Sequence, residues 1–338
     1  MKLARCPASA QNLCGWAWPN PVGYGGRGDY SSEHHILNVI LRRTGLVFGS
    51  LLLLVVLVAA GGFVASRRHI GRKYEIAPES IPIPTDSLSI ARGRHLVRSI
   101  SKCIDCHGEN LAGTVMQESA AMGRWVPVNL TRGKGGVGTV LKDEDWVRAI
   151  RHGVGHDGRP LFIMPSVVYQ NLSIGDLGEI IAYVKSVPPV DNELPPLTLG
   201  PVARGLIGSG KVTFFSVERI DHSKSARALA PAEGPTAEYG DYIVHTAGCA
   251  ECHGPTLAGG KIDVGDPSWP PAANLTPSGL KAYDEAAFFT ALRTGVRPGG
   301  SKINEAMPWR RTKEMTDDEI RAVWLYLKTV PPREFGAR

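Results

Sequence analysis

Residues 103–113 read CIDCHGENLAG, and residues 249–259 read CAECHGPTLAG. These two stretches decide the architecture, because further matching segments follow each of them in the same order. The matches are Asn129-Leu130-Thr131 with Asn274-Leu275-Thr276, residues 149–154 with 291–296, Met164-Pro165 with Met307-Pro308, and residues 180–189 with 323–332. Each half spans about 100 residues, a normal size for one small domain. The sequence therefore predicts two similar domains in tandem.

Both stretches contain the pattern C-x-x-C-H, which is the attachment signature of c-type haem. The two thiols bond to the vinyl groups of the porphyrin, and the adjacent histidine lies under the iron as its proximal ligand. We therefore predict two covalently attached haem c groups. The attachment residues are Cys103, Cys106 and His107 for one haem, and Cys249, Cys252 and His253 for the other.

Three other chemistries use cysteine pairs. A zinc site would need the two C-x-x-C pairs to come together, although a whole repeat separates them in sequence. A thioredoxin-like redox pair would follow a βαβ pattern, which the sequence lacks. The cysteine pattern alone also allows a structural disulfide. The histidine repeated after each pair favours haem.

The sixth iron ligand is predicted from the methionines. The chain has six methionines, and only Met164 and Met307 occupy matching positions, each directly before a proline. A thioether is a common distal ligand in haem electron carriers. We therefore expect the iron ligands to be His107 with Met164, and His253 with Met307. His156, close to Met164 in sequence, is the alternative distal ligand.

The coarse pattern is helical in both halves. Opening helices are expected at 88–101 and 236–247, middle helices at 143–152 and 284–294, and a closing helix before each Pro-Pro pair. Asp143 and Asp284 are the expected N-caps of the middle helices, and Ser173-x-x-Asp176 and Thr316-x-x-Glu319 are capping boxes. The Gly- and Pro-rich stretches between helices are too long for a self-sufficient core, so a large apolar group should fill each half.

An uncharged, apolar segment covers residues 44–66. As a helix it reaches roughly 34 Å, enough to cross a hydrocarbon core of about 30 Å. We expect a single transmembrane anchor, and a cleaved signal sequence is the alternative. The basic residues directly after this segment favour a cytoplasmic location for the rest of the chain. The attachment of c-type haem, by contrast, requires that part of the chain to lie outside the cytoplasm. Because haem attachment is the stronger argument, we expect a bacterial inner-membrane protein with periplasmic haem domains.

The formal net charge of +6 is concentrated near the N-terminus. Residues 1–66 carry +3 and residues 67–73 carry +4, which leaves −1 for residues 74–338. Residues 74–338, the body of the protein, therefore lack the excess of basic residues that nucleic-acid binding requires. The expected parts are a disordered N-terminal segment (1–43), an anchor or signal sequence (44–66), a tether (67–88), a first domain (89–190), a connector (191–235) and a second domain (236–338).

The elements CxxCHGxxLAG, NLT, (I/L)RxGV, MP and YLKxVPP together make residues 89–338 resemble the tandem class I cytochrome c family. The chain is similar to the cytochrome subunits of membrane-bound dehydrogenases, such as those of alcohol and gluconate dehydrogenases. Those subunits typically carry three such domains, whereas this chain has two. The resemblance implies an all-α fold with three main helices around each haem, and it assigns Met164 and Met307 to the distal sides.

Three functions could use two haem sites of this kind. A membrane-anchored dihaem electron carrier would link a periplasmic donor, such as a dehydrogenase subunit, to a respiratory acceptor, such as a terminal oxidase. A dihaem peroxidase would need one open or displaceable distal site, which the repeated Met-Pro pair argues against. A haem sensor would need an output domain, for which no residues remain. The sequence offers no nucleotide loop, matched carboxylate pair or nucleophile motif, so we expect a carrier and not an enzyme.

Overall fold

The computed structural model describes residues 30–210, 212–224, 228–262, 265–266 and 268–337, without the side chains of residues 30–34. Helix α1, Tyr30–Gly71, is 42 residues long, and its stretch from His35 onward is long and apolar enough to cross a membrane. It begins fourteen residues before the predicted anchor, so residues 30–43 of the segment expected to be disordered are helical. Residues 1–29 lie outside the described residues. The described residues 30–57 and 58–337 belong to two compact units.

The first half is built from five helices. These are α2 (Ser87–His95, continued by a π-helical turn, Leu96–Ile100), α3 (Ile104–His107), α4 (Asp143–Val147, continued by a π-helical turn, Arg148–His152), α5 (Ser166–Tyr169) and α6 (Ile174–Ser186). The Asp86 carboxylate accepts the backbone N–H groups of Leu88 and Ser89, which begins α2. Leu177 and Ile181 of α6 are fully buried, so the closing helix forms the centre of this half.

The connector between the halves packs along the first half. It contains α7, Pro201–Ser209, and a 3₁₀ turn, Ser216–Glu218. The backbone N–H of Ile163 donates to the Phe214 carbonyl at 2.8 Å, directly beside Met164. The side chains of Phe214 and Phe215 are buried in a small apolar cluster there. The connector therefore supports the chain around Met164.

The second half repeats the first with five helices. These are α8 (Ala237–Thr246), α9 (Cys249–His253), α10 (Glu285–Thr294), α11 (Trp309–Thr312) and α12 (Asp317–Thr329). Thr316 and Glu319 form a complete capping box at the start of α12. The Asp284 carboxylate accepts the N–H of Ala287 as the N-cap of α10. The first-half middle helix differs, because its N-cap is Lys142 and Asp143 is already its first residue.

The opening and closing helices of each half cross at a glycine. A Cβ placed on Gly93 of α2 would lie 1.9 Å from the Glu179 carbonyl oxygen of α6. A Cβ on Gly240 of α8 would lie 2.0 Å from the Ala322 carbonyl oxygen of α12. Only a residue without a side chain permits this backbone approach. The two halves therefore share the same helix crossing.

A small antiparallel sheet corrects the expectation of an all-α fold. Its strands, in spatial order, are β1 (Gln117–Ser119), β2 (Gly123–Trp125) and β3 (Thr198–Leu199). Gly123 pairs with Leu199, and a Cβ at Gly123 would meet the Thr198 carbonyl oxygen at 2.3 Å. The strands have two or three residues each, too few for a recognisable alternating pattern. The fold is mostly helical, with this one sheet in the described residues.

The segment before α2 is extended and lies against the first half. The N–H of Tyr74 donates to the Gly158 carbonyl at 2.9 Å, and Glu79 forms an ion pair with the buried Arg151 at 2.9 Å. A Cβ on Gly178 of α6 would lie 2.3 Å from the Pro82 carbonyl oxygen. These contacts fix the segment, which the sequence pattern suggested was a tether.

Candidate cofactor sites

Each C-x-x-C-H motif ends in a tight loop held by backbone hydrogen bonds. In the first half, Gly108 has φ 79°, a conformation that favours glycine. The Gly113 N–H donates to the His107 carbonyl at 2.8 Å, and the Leu130 N–H donates to the Leu111 carbonyl at 2.9 Å. The second half repeats every feature with Gly254 (φ 79°), Gly259 to His253 (2.8 Å) and Leu275 to Leu257 (2.8 Å).

Both motif histidines are oriented by a backbone carbonyl. His107 Nδ1 lies 2.8 Å from the Val128 oxygen, and His253 Nδ1 lies 2.7 Å from the Ala273 oxygen. A carbonyl only accepts, so Nδ1 carries the proton and Nε2 keeps its lone pair for a metal. Burial lowers the pKa of both imidazoles, although these hydrogen bonds act in the opposite direction. Each histidine is therefore prepared as a neutral, oriented ligand.

The repeated asparagines hold the chain facing each histidine. The Asn129 side-chain oxygen accepts from the Thr131 N–H and hydroxyl, and its amide donates to the Val190 carbonyl at 2.8 Å. Asn274 makes the same bonds to Thr276 and to the Arg333 carbonyl. Both asparagines therefore hold the same turn in the two halves.

Two cavities border the second motif. One, of about 500 Å³, is lined by His253, Phe288, Arg297 and Met307 among others. The other, of about 390 Å³, is lined by Cys249, Cys252, His253 and Met307, and it reaches Cys106 of the first motif. Both walls are largely apolar, and their size is that of a typical cofactor site. Two thiols, an oriented histidine and a methionine facing apolar cavities are the donor set that a c-type haem needs, so the residues fit the group.

The first motif has the same donors. Cys103 and Met164 are partly buried and pack against the main apolar core. The Met164 carbonyl accepts the Ser166 N–H at 2.9 Å, as the Met307 carbonyl accepts the Trp309 N–H at 2.7 Å. The Met-Pro turn is therefore the same in both halves.

The alternatives for the cysteines find no support. None of the four motif cysteines is paired with another in a disulfide. Among the residues that the structure describes, no group of three or more His, Cys, Asp or Glu side chains is placed to hold a metal ion. A zinc site formed by the two C-x-x-C pairs is therefore absent from this part of the chain.

Several histidines outside the motifs have other partners. His95 Nε2 lies 2.9 Å from the Glu319 carboxylate, and His245 pairs with Asp241 at 3.2 Å. His152 Nδ1 lies 2.9 Å from His222 Nδ1, and burial, followed by the charge of His222, lowers the pKa of His152 to about 4. These three histidines therefore have partners within the protein and need no iron to explain their positions.

A family model matches part of the second half of the chain. Residues 237–331 match the model of the cytochrome c family, described as "Cytochrome c", so the second half is a cytochrome c domain. The chain is similar to the cytochrome c subunit of the quinone-type alcohol dehydrogenase of Gluconacetobacter polyoxogenes, with 28% identity over 73% of this chain and 57% of the relative. It is also similar to the gluconate 2-dehydrogenase cytochrome c subunit of Pantoea cypripedii, with 30% identity over 72% and 60%.

A third relative is a diheme cytochrome c-type protein of Cereibacter sphaeroides, with 29% identity over 55% of this chain and 64% of the relative. The chain thus spans under two thirds of the length of these proteins. The resemblance to dehydrogenase cytochrome subunits, expected from the sequence motifs, is confirmed.

Proposed function

We propose that the chain is a membrane-anchored dihaem c-type cytochrome that carries single electrons and has no catalytic activity of its own. The observation that carries this proposal is the repeated geometry of the two motifs. In both halves a carbonyl orients the motif histidine, and the same Met-Pro turn follows. Although the family model covers only residues 237–331, these shared bonds support residues 89–190 as a second cytochrome c domain.

The residue roles follow from this geometry. Cys103 and Cys106, like Cys249 and Cys252, would hold a haem by thioether bonds, and the haem supplies a one-electron Fe(III)/Fe(II) couple when bound. The histidines would bind on one side through Nε2. Met164 and Met307 would occupy the other side, so neither site keeps an open position for a substrate.

Shielding from water is the second task of the protein. The walls of the cavities beside the second motif are mainly apolar, with side chains such as Leu275, Phe288 and Leu292. Burial and fixed ligands keep the surroundings of a bound group the same in both oxidation states, which favours rapid electron exchange. The site suits a carrier better than a peroxidase.

The relatives suggest the partners. The names of the alcohol dehydrogenase and gluconate 2-dehydrogenase relatives describe cytochrome subunits of dehydrogenases. We infer a dehydrogenase as the electron donor and a respiratory protein, such as a terminal oxidase, as the acceptor. Helix α1 supports a single-pass anchor in a bacterial inner membrane. The chemistry of haem attachment supports a periplasmic position for the body.

Haem content tests the proposal. The full chain is purified from a host that attaches c-type haem, and the haem-to-chain ratio is measured for three proteins: wild type, Cys103→Ala/Cys106→Ala and Cys249→Ala/Cys252→Ala. We expect two haems for wild type and one for each double variant. One haem in wild type would reject the dihaem proposal. Two haems with one high-spin iron would support the peroxidase instead.

A further inference from the structure

One lysine joins the two cofactor motifs. Lys102 directly precedes Cys103 and has φ 52°, an uncommon conformation for a residue with a side chain. Its ammonium donates to the Ile100 carbonyl and to the Ala247 carbonyl, both at 2.8 Å. Ala247 lies two residues before Cys249. The lysine side chain thus bridges the backbone just before one motif to the backbone just before the other.

Lys102 also borders the cofactor space beside the second motif. It lines the cavity of about 390 Å³ that also touches Cys106, Cys249 and Cys252. Among the residues described by the structure, Lys102 forms no ion pair.

The nearby carboxylates have their own arginine partners. Asp105 lies 2.6 Å from Arg311, and Glu251 lies 2.9 Å from Arg219. The lysine ammonium is therefore held by carbonyl dipoles, and neither of these carboxylates neutralises it.

We propose that Lys102 is a positioning residue that locks the two motifs together and whose single positive charge raises the reduction potentials of both haems. This inference rests on the proposed dihaem function. A fixed positive charge stabilises the reduced iron, which carries one charge fewer. By Coulomb's law, with an effective dielectric constant of about 20, one unit charge at roughly 12 Å changes a one-electron equilibrium about tenfold.

The test compares potentials in the full-length, haem-loaded protein. Spectroelectrochemical titration in detergent is performed for wild type, Lys102→Gln, Lys102→Arg and Arg98→Met. Gln keeps a hydrogen-bond donor without the charge, and Arg keeps the charge. Arg98 is the matched control, because it forms an ion pair with Glu314 across the same two halves at 3.0 Å but is not among the lining residues of the cavity.

We expect Lys102→Gln to lower the equilibrium constant for reduction of each haem about tenfold. This corresponds to a fall of ~59 mV in each one-electron reduction potential. Lys102→Arg should keep both potentials near those of wild type, and Arg98→Met should leave both unchanged. The inference is overturned if Lys102→Gln shifts neither haem or only one, if Lys102→Arg falls as far as Gln, or if Arg98→Met has the same effect. A wild-type protein with fewer than two haems would instead reject the proposed function.

Discussion

Replacing Gly240 with alanine should destabilise the second half severely. The new Cβ would lie 2.0 Å from the Ala322 carbonyl oxygen and 2.4 Å from its carbon, both backbone atoms that cannot rotate away. To reach ordinary contact at 3.4 Å, α8 and α12 would have to separate by roughly 1.4 Å along this line. Overpacking of this kind costs about 3 kcal/mol, or about a hundredfold in the folding equilibrium.

The same movement would disturb the cofactor space. Ile243 and Val244 of α8, together with Val323 and Leu327 of α12, line the cavity beside the second motif. Separating the two helices would therefore open its apolar wall to water.

The assay is urea unfolding of the haem-loaded full chain, followed by far-ultraviolet circular dichroism. The matched control is Gly205→Ala in α7, because a Cβ there meets nothing within 4 Å. Removing a helical glycine at such a site should stabilise the protein by about 0.5–1 kcal/mol. The reasoning is refuted if Gly240→Ala unfolds at the urea concentration of wild type, or if the control loses as much stability.

Three further predictions concern other contacts. Met307→Ala should give one high-spin iron and a lower potential for that haem, and an unaltered optical spectrum would mean another ligand. Tyr242→Phe removes the 2.6 Å hydrogen bond to Asp176 between the halves and should cost about 1–3 kcal/mol in urea unfolding, whereas a loss below about 0.5 kcal/mol would contradict this. Burial acts to raise the pKa of Glu319, but the hydrogen bond and charge of His95 hold it below its ordinary value of 4.5. The resulting stabilisation is complete above pH 4.5 and disappears as the pH falls through the lower pKa of the folded protein. Glu319→Gln should therefore lose less stability than wild type on acidification. An equal dependence of the free energy of unfolding on pH in the two proteins would argue against this reasoning.

The internal repeat could be predicted from the sequence because short motifs of neighbouring residues define it. The residues that hold the motif loops and the Met-Pro turns recur at matching positions, and the structure gives both copies the same backbone hydrogen bonds. Helix ends with one strong cap were also predictable, as at Thr316 and Asp284. These features depend on neighbours within a few residues.

Features that depend on distant partners were not predictable from local patterns. The Ser173 hydroxyl caps α6 as expected, but the Asp176 carboxylate accepts the Tyr242 hydroxyl from the other half and does not complete a capping box. The β-sheet needs a two-residue strand from the connector. The crossing glycines were missed, although a signal exists: Gly93 lies ten residues before Cys103 and Gly240 nine residues before Cys249, each inside an opening helix, where glycine is otherwise costly.

Axial ligation of the two haems tests the central claim most directly. The weak far-red sulfur-to-iron band of the oxidised full chain is measured per haem, in wild type and in Met164→Ala and Met307→Ala. We predict a wild-type band that corresponds to two methionine-bound irons and falls by half in each variant. A wild-type band for one iron only, or a band that Met164→Ala leaves unchanged, would contradict a carrier with two closed haem sites.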